Sequence, residues 1–380
     1  MKKIGLGLLA LVMLGSCVTR KTQAPVDSNI GQLKLLGHYN VAHNKPFMGT
    51  TIGGLSGIDY DAKNDQYFLI CDDRSAINPA RFYTVKLALG KSGIDSVQWL
   101  SVQSLLQANG KAYPSSKEDP AKTPDPEAIR YDASKNQLVW TSEGERIIRD
   151  KETILTNPSI IRMGLNGQYI DTLPLPANLL MHATEKGPRQ NGVLEGMTFD
   201  NGFKTLYVNV EEPLYEDGPR ADLAPNKAWI RIYQYNLKAN KNTAQYAYLL
   251  DPVAYPATPA TAFKVNGVPD IFAIGNNKLL VMERSFSTGR LPCTIKIFEV
   301  DLSKAEDISK NASLITSPPA KPLNKKLLLN MDNLGMHVDN VEGMCFGPTL
   351  PNGHKTLVMV ADNNFQLFET TQFFLFEIIP

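Results

Sequence analysis

The sequence predicts an all-β fold, a single β-propeller built from five four-stranded blades. Five passages share one pattern, in which an acidic or hydroxyl residue opens an apolar strand and an acidic residue ends the next strand. A repeat at nearly constant spacing is typical of an architecture built from similar units. The opening residues follow one another at steps of 71, 68, 75 and 72 residues, and they are Ser56, Glu127, Glu195, Asp270 and Glu342.

Each repeat contains four short strand patterns separated by turn residues, which is the second observation that predicts a propeller. The strand patterns are rich in β-branched and aromatic residues, and their apolar residues do not recur at the spacing typical of a helix. Four-stranded sheets arranged around one axis leave only short edges exposed. In the third repeat the strand patterns are 193–200, 205–211, 229–237 and 245–250.

The first 16 residues are typical of a secretory signal, with two lysines, a short apolar run and small residues before Cys17. The apolar run is too short to cross a bilayer. The ending Leu-Gly-Ser-Cys is similar to a bacterial lipoprotein signal, in which Cys17 carries the lipid; an ordinary signal peptide with a chance cysteine is the alternative. Residues 17–31 form a polar tether in this interpretation. We therefore expect a lipid anchor in the bacterial cell envelope, at the outer membrane or facing the periplasm, with the protein outside the cytoplasm.

The two ends of the chain predict how the propeller closes. The last repeat has only three strand patterns, and the stretch 32–41 is a strand pattern with no repeat of its own. If 32–41 completes the last blade, the termini are joined and no edge stays open. Residues 32–380 then form one domain of five blades. Six blades remain an alternative if one blade has no recognisable signature.

Charge and cysteine content exclude several classes of protein. The chain has 39 Lys and Arg residues against 38 Asp and Glu residues, which gives no basic field for nucleic acid. After Cys17 the odd number of cysteines, all in or beside apolar strands, favours buried free thiols over a disulfide framework or a zinc site. We expect a monomer that contacts the membrane only through its lipid and binds no nucleic acid. The three cysteines are Cys71, Cys293 and Cys345.

Long irregular segments indicate where the functional site lies. Three of them join the fourth strand of one repeat to the first strand of the next, and one joins a second strand to a third. In a propeller both kinds of connection lie on the same face, and loops of this length are usually functional. We therefore place the site on this face, over the central channel. The segments are 104–126, 177–193, 251–269 and 213–228.

The openings of the first strands meet the ends of the second strands at this face, because adjacent strands run antiparallel. Many carboxylates around one axis repel one another unless a cation lies among them. Oxygen ligands at irregular spacing suit Ca²⁺ or Mg²⁺ better than zinc, so the pattern predicts a divalent cation, Ca²⁺ by preference. The alternative is that single carboxylates accept hydrogen bonds between blades. The predicted ligands are Glu127, Glu195, Asp270 and Glu342, with Asp72, Glu143, Glu211 and Asp362 as secondary candidates.

Three arginines each follow an acidic strand end by one to three residues, and they are Arg74, Arg146 and Arg284. Beside a divalent cation, guanidinium groups bind a phosphate or carboxylate ester through paired hydrogen bonds. These arginines are therefore predicted to bind substrate. Ion pairing with the neighbouring acids is the alternative.

The pattern does not identify a catalytic residue. Ser56 lies in Gly-Leu-Ser-Gly-Ile, which lacks the last glycine of a nucleophile elbow, so we do not predict a serine nucleophile. The candidates for proton transfer are Glu195 and two histidines in loops of the predicted face, His182 and His337. For the histidines, a surface position without a catalytic task is the alternative.

The elements DPEAIRYD, LEGMTFD and VEGMCFG, each followed by a strand that ends in an acidic residue, resemble the bacterial phytase-like family with esterase-like activity. The resemblance extends from Gly53 to the C-terminus. It implies a secreted propeller that hydrolyses ester or phosphoester bonds. Ser56 and the Pro-Asp-Ile sequence at 269–271 depart from the pattern.

The leading interpretation is an extracytoplasmic, metal-dependent hydrolase that acts on a small-molecule ester or phosphoester at the mouth of the channel. One alternative is a non-catalytic propeller, stabilised by calcium, whose long loops bind a partner or a glycan. The other is a sugar lactonase, which shares the metal chemistry and differs in substrate.

Overall fold

The computed structural model of the protein describes residues 29–90 and 93–380. The predicted signal peptide, Cys17 and most of the predicted tether lie outside the described residues. None of the helices that the structure describes is long and apolar enough to cross a membrane.

Twenty-four strands make up nearly all the regular structure of the described residues. The described residues begin with β1 (Gln32–Asn40) and the short hairpin of β2 (Pro46–Phe47) and β3 (Thr50–Thr51). The first complete sheet is β4 (Leu55–Asp61), β5 (Gln66–Cys71), β6 (Arg81–Gly90) and β7 (Gly93–Ser104). The second contains β8 (Pro126–Asp132) and β9 (Gln137–Ser142), then the projecting hairpin β10 (Glu145–Arg149) and β11 (Glu152–Thr156), and then β12 (Ser159–Met163) and β13 (Tyr169–Thr172).

The third sheet is β14 (Leu194–Phe199), β15 (Thr205–Val210), β16 (Trp229–Asn236) and β17 (Lys241–Leu249). The fourth is β18 (Lys264–Gly275), β19 (Lys278–Ser287), β20 (Thr294–Asp301) and β21 (Lys325–Asn330). The last three strands are β22 (Asn340–Phe346), β23 (Thr356–Asp362) and β24 (Gln372–Ile379). Three single-turn 3-10 helices lie in connections, at Ala177–Leu179, Leu302–Lys304 and Met331–Leu334.

The sheets form a closed ring, which confirms the predicted five-bladed propeller. The first strand of each blade contacts the first strands of its two neighbours, in the order β4, β8, β14, β18, β22 and back to β4. β1 pairs antiparallel with β24, so the fifth sheet has the order β1, β24, β23, β22. The N-terminal strand therefore completes the last blade, as predicted, and the end of β1 at Gln32 pairs with Ile379 on the face opposite the long loops.

A β-bulge interrupts the pairing of the first and second strands in every blade, near the face that carries the long loops. A bulge inserts an unpaired residue and changes the direction of its side chain. In the fourth blade the bulge contains Val268, and Asp270 is paired with Met282 beyond it. The prediction that Asp270 occupies the equivalent opening position is therefore wrong. The equivalent residues of the other blades lie in the bulges, and they are Ser56, Glu127, Glu195 and Glu342.

The glycine after each of two bulged residues allows neighbouring first strands to approach closely. A Cβ atom at Gly57 would lie 2.7 Å from the carbonyl oxygen of Glu127 in the next blade. At Gly196 it would lie 2.6 Å from the Cα atom of Asp270. Because these contacts are with backbone, a larger residue would force the blades apart. Ser56 joins the same two blades as Gly57, since its hydroxyl donates to the Glu127 carbonyl oxygen at 2.8 Å.

A buried ion pair lies across the channel below the bulges. Arg130 on β8 donates to both carboxylate oxygens of Asp270 on β18, at 2.7 and 2.8 Å. Arg130 also donates to the Ile58 carbonyl oxygen on β4 at 2.6 Å, and Asp270 accepts from the Met344 backbone amide on β22 at 2.8 Å. The pair therefore connects four of the five blades and obstructs the centre of the channel.

The apolar cores lie between adjacent blades, where the buried faces of successive sheets pack together. Cys71, Cys293 and Cys345 are free and buried in this packing, which confirms the prediction made for them.

Candidate functional site at the channel mouth

A cleft of about 880 Å³ opens on the face that carries the long loops. Its walls come from the second, third, fourth and fifth blades and from the loops between them. Arg146 of the β10–β11 hairpin, Arg284 at the end of β19 and Glu369 after β23 all line it. The volume lies in the usual range for small-molecule sites in proteins. The predicted face therefore carries a cleft large enough for a substrate.

Three carboxylates of the second blade converge at the mouth. One ligand oxygen each from Asp125, Glu127 and Glu143 lies within 4.8 Å of the others. Glu127 reaches this position from the bulge of β8, Asp125 directly precedes β8, and Glu143 directly follows β9. Glu143 is held in place by the backbone amides of Gly192, at 2.7 Å, and of Val193. This arrangement of oxygen donors can bind a metal ion.

Burial raises the pKa of each of these three carboxyl groups. The pKa of Asp125 rises to about 8, because the group is buried and because Glu143 is close, although Arg74 acts in the opposite direction. The pKa of Glu127 is raised well above its ordinary range by burial and then by Glu195. For Glu143 burial again raises the pKa, and the two backbone hydrogen bonds lower it in part. Three such groups favour either protons or a cation among them.

Four more buried carboxyl groups surround the three and extend the acidic region across the mouth. The pKa of Glu342 is raised to about 8 by burial, despite Arg284 beside it. Asp362 is fully buried, and backbone hydrogen bonds from Asn363 and Asn364 offset only part of the effect of burial on its pKa. The charge of Glu143 adds to the effect of burial in raising the pKa of Glu195. The pKa values of the other three groups are also raised well above the ordinary range by burial, and these groups are Asp72, Glu195 and Asp362.

Arg284 neutralises one side of this acidic region. Its guanidinium group contacts Glu211 at 2.5 Å and Glu342 at 2.6 Å, and it also donates to the amide oxygen of Asn340. Its Nε atom has no hydrogen-bond partner. The arginine that was predicted to bind substrate therefore also acts as the counterion of two predicted metal ligands.

The other two predicted arginines make different contacts. Arg74 forms an ion pair with Glu145 at 2.7 Å and lies 3.7 Å from Asp125, as the ion-pairing alternative described. Arg146 donates to the backbone carbonyl oxygens of His182, at 2.9 Å, and of Thr184, at 3.2 Å. Arg146 thus holds the loop 177–193 against the β10–β11 hairpin.

The two predicted histidines lie in loops of the mouth face. His182 contributes its backbone carbonyl to Arg146. The Nε2 atom of His337 lies 3.2 Å from a carboxylate oxygen of Asp339, which lines the cleft, and the His337 side chain is 43% exposed. A carboxylate that orients an imidazole is a common arrangement for proton transfer.

Asp270 lies apart from the remaining predicted ligands. Both of its oxygens are bound by Arg130, and burial raises its pKa to about 6 although Arg130 lowers it. We therefore leave Asp270 out of the ligand set proposed below.

Asp125 was not among the predicted ligands. It precedes the strand pattern of the second repeat, so the repeat did not include it. The sequence signal that could have identified Asp125 is its position two residues before Glu127. At the start of a bulged strand, this spacing brings the two side chains next to each other.

The pKa shifts predict how stability depends on pH when no divalent cation is present. Asp125 and Glu342 have pKa values of about 8 in the folded protein and about 4 when unfolded, so the folded state binds more protons in this interval. The free energy of unfolding should therefore fall as pH rises from about 4 to about 8, and then level off.

The measurement is urea denaturation in the presence of a chelator, at about pH 5 and about pH 8. We expect the free energy of unfolding to be lower at the higher pH by about 2 kcal/mol or more, since one pKa unit corresponds to about 1.4 kcal/mol. Calcium added at the higher pH should reverse the loss. A protein that becomes more stable over this interval without metal would show that the carboxyl groups are not mutually repelling.

Comparison with known proteins connects this chain with one family. A family model described as phytase-like, esterase-like activity of phytase, matches residues 50–365. No curated protein matches the chain.

Several solved structures are similar in fold. An exo-β-1,3-galactanase from Phanerochaete chrysosporium is 10% identical, with 90% of this chain and 64% of that chain covered and a TM-score of 0.45. An endo-1,4-β-xylanase from Bacteroides thetaiotaomicron is 9% identical, with coverage of 85% and 90% and a TM-score of 0.44. A gluconolactonase from Xanthomonas campestris is 10% identical, with coverage of 93% and 96% and a TM-score of 0.38. The chain thus spans 64% of the length of the galactanase.

Proposed function

The chain belongs to the phytase-like family, whose description is the esterase-like activity of phytase, and from this membership we propose that it is a metal-dependent hydrolase of ester or phosphoester bonds. The observation that carries the proposal is the convergence of Asp125, Glu127 and Glu143 at the channel mouth. The three do not line the cleft of about 880 Å³ themselves, but Glu143 accepts a hydrogen bond from Gly192, and Asn191 before it lines the cleft. Acidic groups with raised pKa values at the edge of a cleft are frequent at sites of catalysis.

The residues of the mouth fit a divalent cation. Three oxygen donors lie within 4.8 Å of one another, and they belong to carboxylates, which Ca²⁺ and Mg²⁺ prefer as ligands. We propose that Asp125, Glu127 and Glu143 hold the cation, Ca²⁺ by preference, with Glu195 and Glu342 close to it. When bound, such a cation polarises the ester oxygen and lowers the pKa of water.

Two side chains of the mouth are suited to assist the reaction. The pKa of Glu195 is raised well above the ordinary range by burial and then by Glu143, so Glu195 can retain a proton at neutral pH and give it to the leaving group. Arg284 lines the cleft, and its Nε–H group is buried. We propose that the positive charge of its guanidinium group stabilises the substrate oxygen on which negative charge develops. His337, oriented by Asp339, is the candidate for accepting a proton from water.

We propose that the protein acts outside the cytoplasm, attached to the cell envelope by a lipid on Cys17. The first described residues lie on the face opposite the cleft, where the backbone amide of Gly31 donates to Ile379 at 2.8 Å. The described part of the chain therefore enters the propeller on the face opposite the cleft.

The proposal is tested with p-nitrophenyl carboxylic esters, p-nitrophenyl phosphoesters and sugar lactones, each assayed with calcium and with chelator. We expect hydrolysis of an ester or phosphoester with calcium and a loss of at least about 10-fold with chelator. Turnover of lactones alone would favour the sugar lactonase. Absence of turnover in folded protein that binds calcium would favour the non-catalytic binding module.

A further inference from the structure

We infer that the cleft takes a carboxylic ester with an apolar acyl or aryl group, and that it discriminates against polyphosphorylated substrates. The inference rests on the proposed hydrolase function and specifies the substrate class of the same site. Two features of the cleft carry it: an apolar wall that is exposed to solvent, and a polar wall whose cations already have partners.

The apolar wall comes from the fourth blade. Phe263 and Leu291 line the cleft and are 56% and 62% exposed. Phe286 lies beside Phe263, with ring centroids 6.2 Å apart and an angle of 37° between the rings. Exposure of apolar side chains to water is unfavourable. A ligand that covers them in the cleft therefore gains binding free energy from the apolar surface that it removes from water. This wall therefore favours a ligand with an apolar group of similar area, such as an aromatic ring or a chain of several methylenes.

The charge on the opposite wall does not suit a polyphosphate. Four arginines and five acidic residues line the cleft, and among its described residues none is a lysine. Arg284 is bound by Glu211 and Glu342, and Arg220 contacts Glu212 at 2.8 Å.

The remaining two arginines of the cleft are occupied differently. Arg189 donates to the backbone carbonyl oxygens of Pro213 and Gly218, at 2.9 Å each. Arg189 and Arg146 both face the ring of Tyr215, at 4.3 and 5.2 Å from its centroid. Recognition of several phosphate groups needs cations that are free to pair with them. Because the acidic residues outnumber the arginines in the cleft, a polyanion gains little binding free energy there. An uncharged ester loses no binding free energy to this excess of negative charge.

The test compares kcat/KM for p-nitrophenyl hexanoate, p-nitrophenyl acetate, p-nitrophenyl phosphate and inositol hexakisphosphate, with calcium present. We expect the hexanoate to be preferred over the acetate by about 10-fold or more, which is the scale of a few methylenes in an apolar pocket. We expect both phosphate substrates to be at least about 10-fold poorer than the hexanoate. The ratio of hexanoate to acetate should fall by about 10-fold in Phe263→Ala.

The matched control is Leu327→Ala, which removes a side chain of the outer strand β21 that is 50% exposed and does not line the cleft. The control should keep the ratio of the parent protein. A preference for p-nitrophenyl phosphate or inositol hexakisphosphate would overturn the inference and leave the proposed hydrolase standing. An equal ratio in Phe263→Ala and the parent would also overturn it.

If none of the substrates is hydrolysed, the proposed function is wrong. A binding measurement then tests separately whether the cleft prefers apolar ligands to polyphosphates. Isothermal titration calorimetry with the uncharged ester methyl 4-phenylbutyrate should then show binding to the parent protein that weakens by about 10-fold in Phe263→Ala and not in Leu327→Ala. Inositol hexakisphosphate should bind more weakly than methyl 4-phenylbutyrate. The reverse order of affinity, or no binding of methyl 4-phenylbutyrate, would overturn the inference.

Discussion

Replacing Glu127 by glutamine is expected to weaken calcium binding by at least about 10-fold and to reduce calcium-dependent hydrolysis by a similar factor. The side chain keeps its shape but loses its charge and one of the three converging carboxylates. Calcium affinity is measured by isothermal titration calorimetry, and hydrolysis with the best substrate of the panel. Without metal, at about pH 8, the variant should be at least as stable as the parent, because the change removes a charge from a repelling group.

The matched control is Asp65→Asn, which removes one carboxylate from an exposed turn on the opposite face. Asparagine suits this position, because Asp65 has a positive φ of 51°. The control should bind calcium and hydrolyse ester as the parent does. If Glu127 is instead an acceptor of hydrogen bonds between blades, Glu127→Gln will lose about 1–3 kcal/mol of stability with and without calcium, and its calcium affinity will not change.

Replacing Arg130 by methionine is expected to cost about 3–5 kcal/mol of unfolding free energy. Asp270 then remains buried in the channel without its counterion, and it keeps only the hydrogen bonds that it accepts from the backbone amides of Ile271 and Met344. The four blades that the ion pair connects also lose a common contact. Urea denaturation of the variant and the parent measures the difference.

Two further variants separate this cause from a general effect of arginine removal. Arg149→Met breaks the exposed pair of Arg149 with Glu152 and should cost at most about 1 kcal/mol. The double variant Arg130→Met, Asp270→Asn removes both charges and should recover part of the stability that the single variant loses. A single variant as stable as the parent would contradict the role given to this ion pair.

The sequence predicted most of the architecture because the propeller repeats its signals. The spacing of the first strands gave five blades, and the unassigned strand pattern at 32–41 gave the closure through β1. These features depend on local residue patterns, which can be recognised in a sequence without the three-dimensional structure.

The positions of the side chains at the mouth depend on the register between neighbouring strands, so they could not be predicted from the repeat. Asp270 follows a proline and resembles an opening residue, but the bulge of β18 begins earlier, at Val268, so Asp270 lies deeper and pairs with Arg130. Arg130 lies between Ile129 and Tyr131 in the middle of a strand pattern, and the repeat gives no reason to expect a charge in the centre of the channel. Asp125 lies outside the repeated strands, so its contribution emerged only from the fold.

The central claim is that Asp125, Glu127 and Glu143 hold a divalent cation at the mouth of the channel. The most direct measurement is an anomalous difference map from crystals of the protein grown with calcium and then soaked in Mn²⁺. We predict a peak between the carboxylate oxygens of these three residues, which are within 4.8 Å of one another, and no such peak in Glu127→Gln. A map from the parent protein without a peak between these three carboxylates would contradict the claim.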